Sequence, residues 1–163
     1  MNLWIRIKKL RPKQLLKLAL VFCGNPRFAV SSIRATNRTL AICNFHFGKK
    51  HHQNNQANAF RHALWNFFIC RAVFQIDTDV EKAINWAKTI TDLHEKFAFS
   101  TNLAKAMDLH NNTIGRTIFK EKISAKLNLE EIIVLLKTKA AQAEKIEIPE
   151  DVEKFKGELV FIE

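Results

Sequence analysis

The scarcity of helix-breaking residues is the feature of this sequence that most limits its fold. Only four glycines and three prolines are spread over 163 residues. So few breakers favour long helices over many short strands and tight turns. A chain of this length is also close to the usual size of one domain with one core. We therefore predict a single all-α domain over residues 1–163, a bundle of about five or six helices with a short irregular or strand-like C-terminal tail.

Helix start and stop signals divide this domain into four parts. Residues 1–48 are predicted to form a basic helical hairpin, with a first helix from Pro12 to about Cys23 and a second that begins near Pro26 and ends near Gly48. Residues 55–122 form a helical core that carries the motifs. Residues 128–146 form a C-terminal helix opened by Asn128 and Glu131. Residues 147–163 form a tail that either docks on the helices or stays mobile.

The core is expected to contain three consecutive helices. Before them, the all-polar run from Lys49 to Gln56 is expected to be a solvated loop without a core residue. A Thr followed by Glu three residues later matches a capping box and marks the start of the second helix. The predicted helices run from about Asn58 to Phe74, from the Thr78/Glu81 box to about Phe97, and from Ser100 or Thr101 to about Lys122.

Positive charge is concentrated in the amino-terminal half of the chain. The net charge is +10, and residues 1–76 contain thirteen Lys or Arg and no acidic residue, the first being Asp77. Such a distribution favours an anionic ligand, a membrane surface or an acidic protein partner, although the acidic half of the same chain is another candidate. Nucleic acid is a weaker candidate, because the sequence shows charge without any nucleic-acid-binding motif.

The cysteines and the amino terminus together favour a cytoplasmic protein. The three cysteines lie in apolar runs without paired C-x-x-C spacing, so they are expected to be buried free thiols in a reducing compartment. Basic Trp4–Lys13 followed by apolar Leu15–Cys23 has the outline of a signal peptide, but Lys17 interrupts the apolar run and no A-x-A site follows. A peripheral position at the inner membrane surface is compatible with this pattern. The cysteines are Cys23, Cys43 and Cys70.

Polar residues recur at helical spacing on all three core helices. The first helix carries Asn58, His62 and Asn66, and the third carries Asp108, Asn111, Asn112 and Gly115. On the second helix, the 3, 4, 3, 4 pattern of Ala83, Ala87, Ile90, His94 and Phe97 predicts that His94 points inward and that Glu95 reaches only the edge of the site. Buried polar groups cost about 1–3 kcal/mol each when unpaired, so we expect the three faces to converge.

Three interpretations of this cluster stay open. The first is a purely structural hydrogen-bond network. The second is a divalent metal site in which His62, His94 and Asp108 are ligands and Glu95 is a base, although the spacing matches no established metal motif. The third is a metal-free site in which His94 is the general base, oriented by Glu95 or Asp108, while Asn111 and Asn112 hold a substrate oxygen.

Three short blocks of sequence resemble a known family. The blocks are N-A-x-R-H-A-x-W from Asn58, H-E at His94, and M-D-L-x-N-N-x-x-G-R from Met107. Over about residues 55–120 this pattern is similar to an uncharacterised bacterial all-helical domain family of unknown function, found as small stand-alone proteins and at the ends of larger secreted or toxin-like chains. The toxin-like relatives favour an enzyme. The resemblance implies importance for Asn58, Arg61, His62, Trp65, His94, Glu95, Asp108, Asn111, Asn112, Gly115 and Arg116.

The function favoured by these observations is hydrolysis of an anionic ester or phosphoester. The alternative is a binding protein without catalysis, whose basic amino-terminal half lies on a membrane surface or on an acidic partner. The predicted catalytic residues are His62, His94, Glu95 and Asp108. The predicted substrate-binding residues are Asn58, Arg61, Trp65, Asn66, Asn111, Asn112 and Arg116.

Overall fold

The fold is an all-α bundle with a short strand pair in its C-terminal tail, as predicted. A computed structural model describes residues 11–123, 125 and 127–163, so predictions for Trp4 and its neighbours lie outside the described residues. The described helices are α1 (Pro12–Gly24), α2 (Pro26–Phe47), α3 (Gln56–Asp77), α4 (Val80–Phe97), α5 (Asn102–Lys122) and α6 (Leu129–Ala141).

Several helix starts follow from local side-chain chemistry. The Asn55 side chain accepts hydrogen bonds from the first backbone N–H groups of α3, which lengthens this helix by about two residues relative to the prediction. Thr101 caps α5 by accepting from the N–H of Ala104. The predicted box at α6 is confirmed, because Asn128 and Glu131 each accept from the backbone N–H of the other.

The predicted capping box at α4 is wrong by one residue. Asp79, not Thr78, is the N-cap, and its carboxylate accepts from the N–H of Lys82 at 3.0 Å. Thr78 ends α3 instead, in the left-handed conformation with φ of 41°. Thr78 is the C-cap of α3 and the next residue, Asp79, is the N-cap of α4. Because Thr78 already ends α3, it cannot also cap α4 as the predicted box requires.

Helix α3 lies at the centre of the bundle and packs against α2, α4, α5 and α6. Its apolar side chains Phe60, Leu64 and Ile69 are fully buried and join Phe119 of α5 in the main core. Because α3 is surrounded on several sides, its polar side chains also face protein rather than solvent. This central position is what buries the Asn58, His62 and Asn66 stripe.

Helices α3 and α5 cross in close contact at Gly115. A Cβ atom built on Gly115 would lie 2.2 Å from the carbonyl oxygen of Ala63 and 2.8 Å from its Cα. No side chain fits in that space, so glycine is required for the two backbones to approach. The sequence places Gly115 on the polar face of α5, so the crossing at this glycine brings the polar faces of α3 and α5 together.

The polar segment before α3 is not the solvated loop that the sequence predicts. Gly48–His52 forms a 3₁₀-helix, and His51 within it is completely buried. Its Nε2 lies 2.9 Å from Oδ1 of Asn44, and burial lowers the pKa of His51 to about 4, so the ring is neutral and its Nε2–H donates. The hydrogen bond to Asn44 satisfies Nε2 of the neutral ring, while Nδ1 is buried without a hydrogen-bond partner among the described residues.

The C-terminal tail contains a short strand and docks on the helices, as predicted. Helix α6 ends at Ala141, before the predicted end near Lys145, and β1 (Glu144–Lys145) pairs in parallel with β2 (Val160–Phe161). A 3₁₀-helix at Pro149–Lys154 connects the two strands. Val160 packs with Met107 and Ile146 in a second, smaller apolar cluster against α5. The apolar run near the C-terminus therefore docks on the bundle and pairs with a strand sixteen positions upstream.

Three surface features bear on the sequence predictions. Arg27, Arg34 and Arg38 are all exposed on α2. Cys43 and Cys70 are buried free thiols, but Cys23 is exposed, which corrects its assignment to the core. No helix within the described ranges is both long and apolar enough to cross a membrane.

Candidate functional site

One histidine and two carboxyl groups, each from a different helix, meet inside the bundle. His62 comes from α3, Glu95 from α4 and Asp108 from α5, and one ligand atom of each lies within 4.8 Å of the others. The Nε2 atom of His62 is 3.2 Å from Oδ1 of Asp108, and its Nδ1 atom is 3.7 Å from Oε1 of Glu95. His62 and Glu95 are 2% and 1% exposed, whereas Asp108 is 14% exposed and is the member nearest to solvent.

Glu95, rather than its neighbour His94, is the inner residue of α4. His94 is only partly buried, and its ring lies edge-on to Trp65 with 5.1 Å between ring centroids. The prediction had assigned these positions the other way round. The buried side of α4 includes Ala87, Thr91 and Glu95 at i, i+4 and i+8, so its centre lies about one residue away from the predicted stripe.

Two asparagines connect the histidine to the rest of the cluster. Oδ1 of Asn112 lies 3.0 Å from Nδ1 of His62 and accepts from Nδ2 of Asn66 at 2.6 Å. The Nδ2 group of Asn112 points to Oε1 of Glu95 at 3.5 Å. Both asparagines are completely buried. The amides therefore fix the position of the imidazole ring and extend the polar cluster from α3 to α5.

Arg61 supports the cluster from the next position on α3. Its Nη2 atom is 2.7 Å from Nε2 of His62 and 2.9 Å from Oδ1 of Asn58, and its Nη1 donates to the backbone oxygen of His51 at 2.8 Å. A guanidinium can only donate, so Nε2 of His62 accepts and Nδ1 carries the hydrogen that is directed to Asn112. Arg61 thus links the cluster to the 3₁₀-helix at His51 and selects the tautomer of His62.

Burial and a neighbouring charge strongly perturb Glu95. Burial, followed by the nearby charge of Asp108, raises the pKa of Glu95 from 4.5 to about 8. A hydrogen bond with Asp108 acts in the same direction, while Asn112 and Arg61 oppose the shift. Two carboxyl groups in contact cannot both ionise without strong repulsion. At neutral pH the pair therefore holds a proton at Glu95, which makes it a buried acid.

Comparison with known protein families assigns the chain to one of them. Residues 19–144 match the sequence profile of a domain of unknown function (DUF6973). The match covers more than two thirds of the chain and includes every residue of the cluster. The chain belongs to this family. No curated protein and no solved structure matches the chain.

Arg116 closes the inner end of the cluster in this DUF6973 domain. Its Nη1 atom donates to Oδ1 of Asn66 at 2.8 Å, and its Nη2 atom donates to Oγ1 of Thr113. Burial lowers the pKa of Arg116, and the charge of Asp92 partly offsets this effect. Thr91 donates to Asn66 as well. Sequence reasoning did not identify Thr91, although its position one turn from Ala87 and one turn from Glu95 was a usable signal.

Two residues predicted to bind substrate in the DUF6973 domain have other partners. Asn111 is completely buried, and its amide donates to the backbone oxygen of Val160 and accepts from the N–H of Val160, both at 2.9 Å. Trp65 donates from Nε1 to the hydroxyl of Thr36 at 2.8 Å, while its ring lies between those of His62 and His94. Asn111 therefore holds the tail, and Trp65 forms a wall of the site.

The donor set of the DUF6973 cluster is one that could also hold a metal ion. Among the described residues His62, Glu95 and Asp108 form the group that comes close enough. This set replaces the predicted ligand His94 by Glu95. One imidazole nitrogen with two carboxylates suits a divalent metal. Nε2 of His62 lies beside the guanidinium of Arg61, and Nδ1 carries the hydrogen directed to Asn112, so a metal bound at either nitrogen would have to displace one of these partners.

Proposed function

We propose that this DUF6973 domain is a hydrolase that acts on an anionic ester or phosphoester through His62, Glu95 and Asp108. The observation that carries the proposal is the convergence of one imidazole and two carboxyl groups, from three helices, within 4.8 Å inside the bundle. A network that only joins helices can be built from amides and hydroxyls, as Asn66, Asn112 and Thr91 already do. A second buried carboxyl group adds repulsion and desolvation, and groups perturbed in this way cluster at functional sites.

His62 is assigned as the general base. Its Nε2 accepts a hydrogen bond from Arg61 in the absence of substrate. An anionic substrate group bound by the guanidinium would take over this donor and leave the nitrogen lone pair to a water molecule. The water would transfer a proton to Nε2 while its oxygen attacks the ester carbon or phosphorus. Nδ1 of His62, held by Asn112, keeps the ring in the orientation that this step requires.

The carboxyl pair is assigned as the proton donor to the leaving group. Glu95 keeps a proton at neutral pH, and Asp108 lies between this proton and solvent. The bond from the ester carbon or phosphorus to the leaving oxygen breaks as that oxygen takes a proton from the pair. The imidazolium of His62 then returns its proton to the pair. Each proton taken from water is thus accounted for, and the site ends the cycle in its starting state.

The substrate class follows from charge. Arg61 is partly exposed and adjacent to the reacting groups. It belongs to residues 1–76, which contain no acidic residue. A positive surface around a site raises the local concentration of anionic substrates and orients them. Phosphate or carboxylate esters of negatively charged molecules therefore fit better than neutral esters.

The proposal is tested with purified full-length protein and p-nitrophenyl phosphate, bis-p-nitrophenyl phosphate and p-nitrophenyl acetate as probes. The variants H62A, E95Q and D108N should lose hydrolysis of the accepted probe by at least about 100-fold, the usual contribution of general acid–base groups. H46A is the matched control, since His46 is exposed and lies outside the cluster. It should retain wild-type rates.

The same proteins show whether a proton or a divalent metal ion neutralises the charge of Glu95 and Asp108. Elemental analysis of wild type and H62A shows whether a divalent metal occupies the cluster, and rates with and without EDTA show whether hydrolysis needs it. If no probe is hydrolysed, or if H62A and D108N hydrolyse it as fast as H46A, the hydrolase assignment is rejected and the cluster is structural.

A further inference from the structure

The first helix presents an apolar face to solvent. Helix α1 contains no buried residue, and the leucines on its outer side, Leu16 and Leu20, are 62% and 65% exposed. Ala19 and Cys23 lie on the same side of the helix at i+3 and i+7 from Leu16 and are also exposed. Exposed leucines at one-turn spacing on one side of a helix indicate a contact that residues 11–123, 125 and 127–163 do not provide.

The opposite side of α1 already attaches the helix to the bundle. Leu18, Val21 and Phe22 are partly buried, and Val21 and Phe22 pack against the main core. The helix therefore has two apolar sides with different roles. The inner side is occupied by protein, so attachment to the bundle does not explain the leucines on the outer side.

Basic residues border the outer face. Lys13 and Lys17 are exposed and lie along one edge of the Leu16 and Leu20 stripe. The basic residues of α1, α2 and the position before them are Arg11, Lys13, Lys17, Arg27, Arg34 and Arg38, and these segments contain no acidic residue. An apolar stripe flanked by Lys is the pattern of helices that lie in the interface of an anionic bilayer.

A cleft at the start of α2 has the same character. It has a volume of about 450 Å³ and is lined by Arg27, Arg34, Val30, Ile76, Pro26 and Ser31. The two arginines provide charge, while Val30 and Ile76 are 48% and 39% exposed and provide apolar surface. Guanidinium groups beside exposed aliphatic side chains suit a phosphate head group with an adjoining acyl chain.

We propose that α1 and the cleft at the start of α2 form a docking surface for an anionic phospholipid membrane. The helix would lie in the plane of the interface with Leu16 and Leu20 among the acyl chains and with Lys13 and Lys17 at the phosphates. An anionic bilayer fits this surface for two reasons. Its acyl chains bury leucine side chains without a complementary shape, and its head groups supply the negative charge. A nucleic acid would leave the leucines exposed. This proposal does not depend on the hydrolase assignment.

The chemistry predicts a requirement for both parts of the surface. Burial of leucine side chains supplies binding energy that is insensitive to salt, while Lys and Arg supply attraction that weakens as added salt shortens the screening length. Binding should therefore need anionic lipid and should decrease, without vanishing, at high salt. Removal of either the leucines or the arginines should weaken it.

The test is co-flotation of the full-length protein with vesicles of pure phosphatidylcholine and with vesicles that contain roughly one third phosphatidylglycerol. Wild type should float with the anionic vesicles only. The variant L16E/L20E should lower the bound fraction by at least about tenfold, and R27Q/R34Q by a smaller factor. V134E/I148E is the matched control, because it adds the same charge at two exposed apolar positions on and after α6. It should bind within about twofold of wild type.

Three results would overturn the proposal. The first is failure of wild type to float with anionic vesicles, and the second is equal binding by L16E/L20E and V134E/I148E. The third is binding to soluble polyglutamate but not to vesicles, which would assign the surface to an acidic protein instead. Circular dichroism of each variant confirms that its fold is intact. Esterase rates measured in parallel separate this result from the hydrolase assignment, since the vesicle variants leave His62, Glu95 and Asp108 unchanged.

Discussion

Replacement of Gly115 by alanine should destabilise the bundle and disconnect the candidate site. The new Cβ would lie 2.2 Å from the carbonyl oxygen of Ala63, whereas ordinary contacts begin at 3.4 Å. The neighbouring atoms are backbone and cannot rotate away, so α3 and α5 must separate by about 1 Å, the difference between those two distances. A separation of that size would break the hydrogen bonds of Asn112 to His62 and Asn66, at 3.0 and 2.6 Å.

The expected magnitude follows from opposing contributions. Alanine gains about 1 kcal/mol over glycine in helix propensity. Overpacking costs about 1–3 kcal/mol, and each buried polar group left without its partner costs about 1–3 kcal/mol more. We expect a net loss of about 3 kcal/mol in the free energy of unfolding, which corresponds to a decrease of roughly 6–12 °C in Tm for a chain of this size.

Urea unfolding followed by circular dichroism measures this loss. Gly24→Ala is the matched control, since no atom lies within 4 Å of a Cβ at that position. It should leave stability unchanged or slightly raised. A loss below about 1 kcal/mol for G115A would refute the close crossing as the element that holds the polar faces together.

Two further predictions concern Glu95 and the tail. The pKa of Glu95 is raised from 4.5 to about 8, so between these pH values the folded state keeps a proton that the unfolded chain has lost. The free energy of unfolding should therefore fall as pH rises through this window, by up to about 1.4 kcal/mol per pH unit. Above the window it should stay level. Urea titrations of E95Q across the window should lack this slope, and an unchanged slope would exclude Glu95 as its source. Asn111→Ala removes both hydrogen bonds to Val160, so it should lower the free energy of unfolding by about 2 kcal/mol and speed tryptic cleavage after Lys156. The control Thr117→Ala, at an exposed position, should do neither. Equal cleavage rates for both variants would show that Asn111 does not hold the tail.

The parts of the site that the sequence predicted are those set by spacing within one helix. Asn58, His62 and Asn66 share a face because four residues make about one turn, and the same rule groups Asp108 with Asn112. Polar groups on an otherwise apolar helix must find partners, so their convergence could be expected from these two helices alone. Gly115 lies on the same face as Asp108 and Asn112, and a glycine there has no side chain to keep the backbone of a neighbouring helix away.

The parts that failed depend on contacts between distant segments. The inner residue of α4 is Glu95 rather than His94 because packing of Trp86 against α2, with its Nε1 bonded to Ser32, sets the rotation of the helix about its axis. Adjacent residues differ by about 100°, so a small rotation exchanges them. Burial of His51 depends in the same way on Asn44, seven residues earlier. No local pattern records such partners.

The C-terminal strand has a practical consequence for the choice of the ends of a recombinant fragment. The family match stops at residue 144, the first residue of β1, yet Asn111 within the matched region donates one hydrogen bond to the backbone of Val160 and accepts another from it. A recombinant fragment trimmed to the matched boundaries would expose the amide of Asn111 and the side chain of Met107 to water. The tail beyond the matched residues is therefore part of the packed structure, and expression of this domain should retain residues through 163.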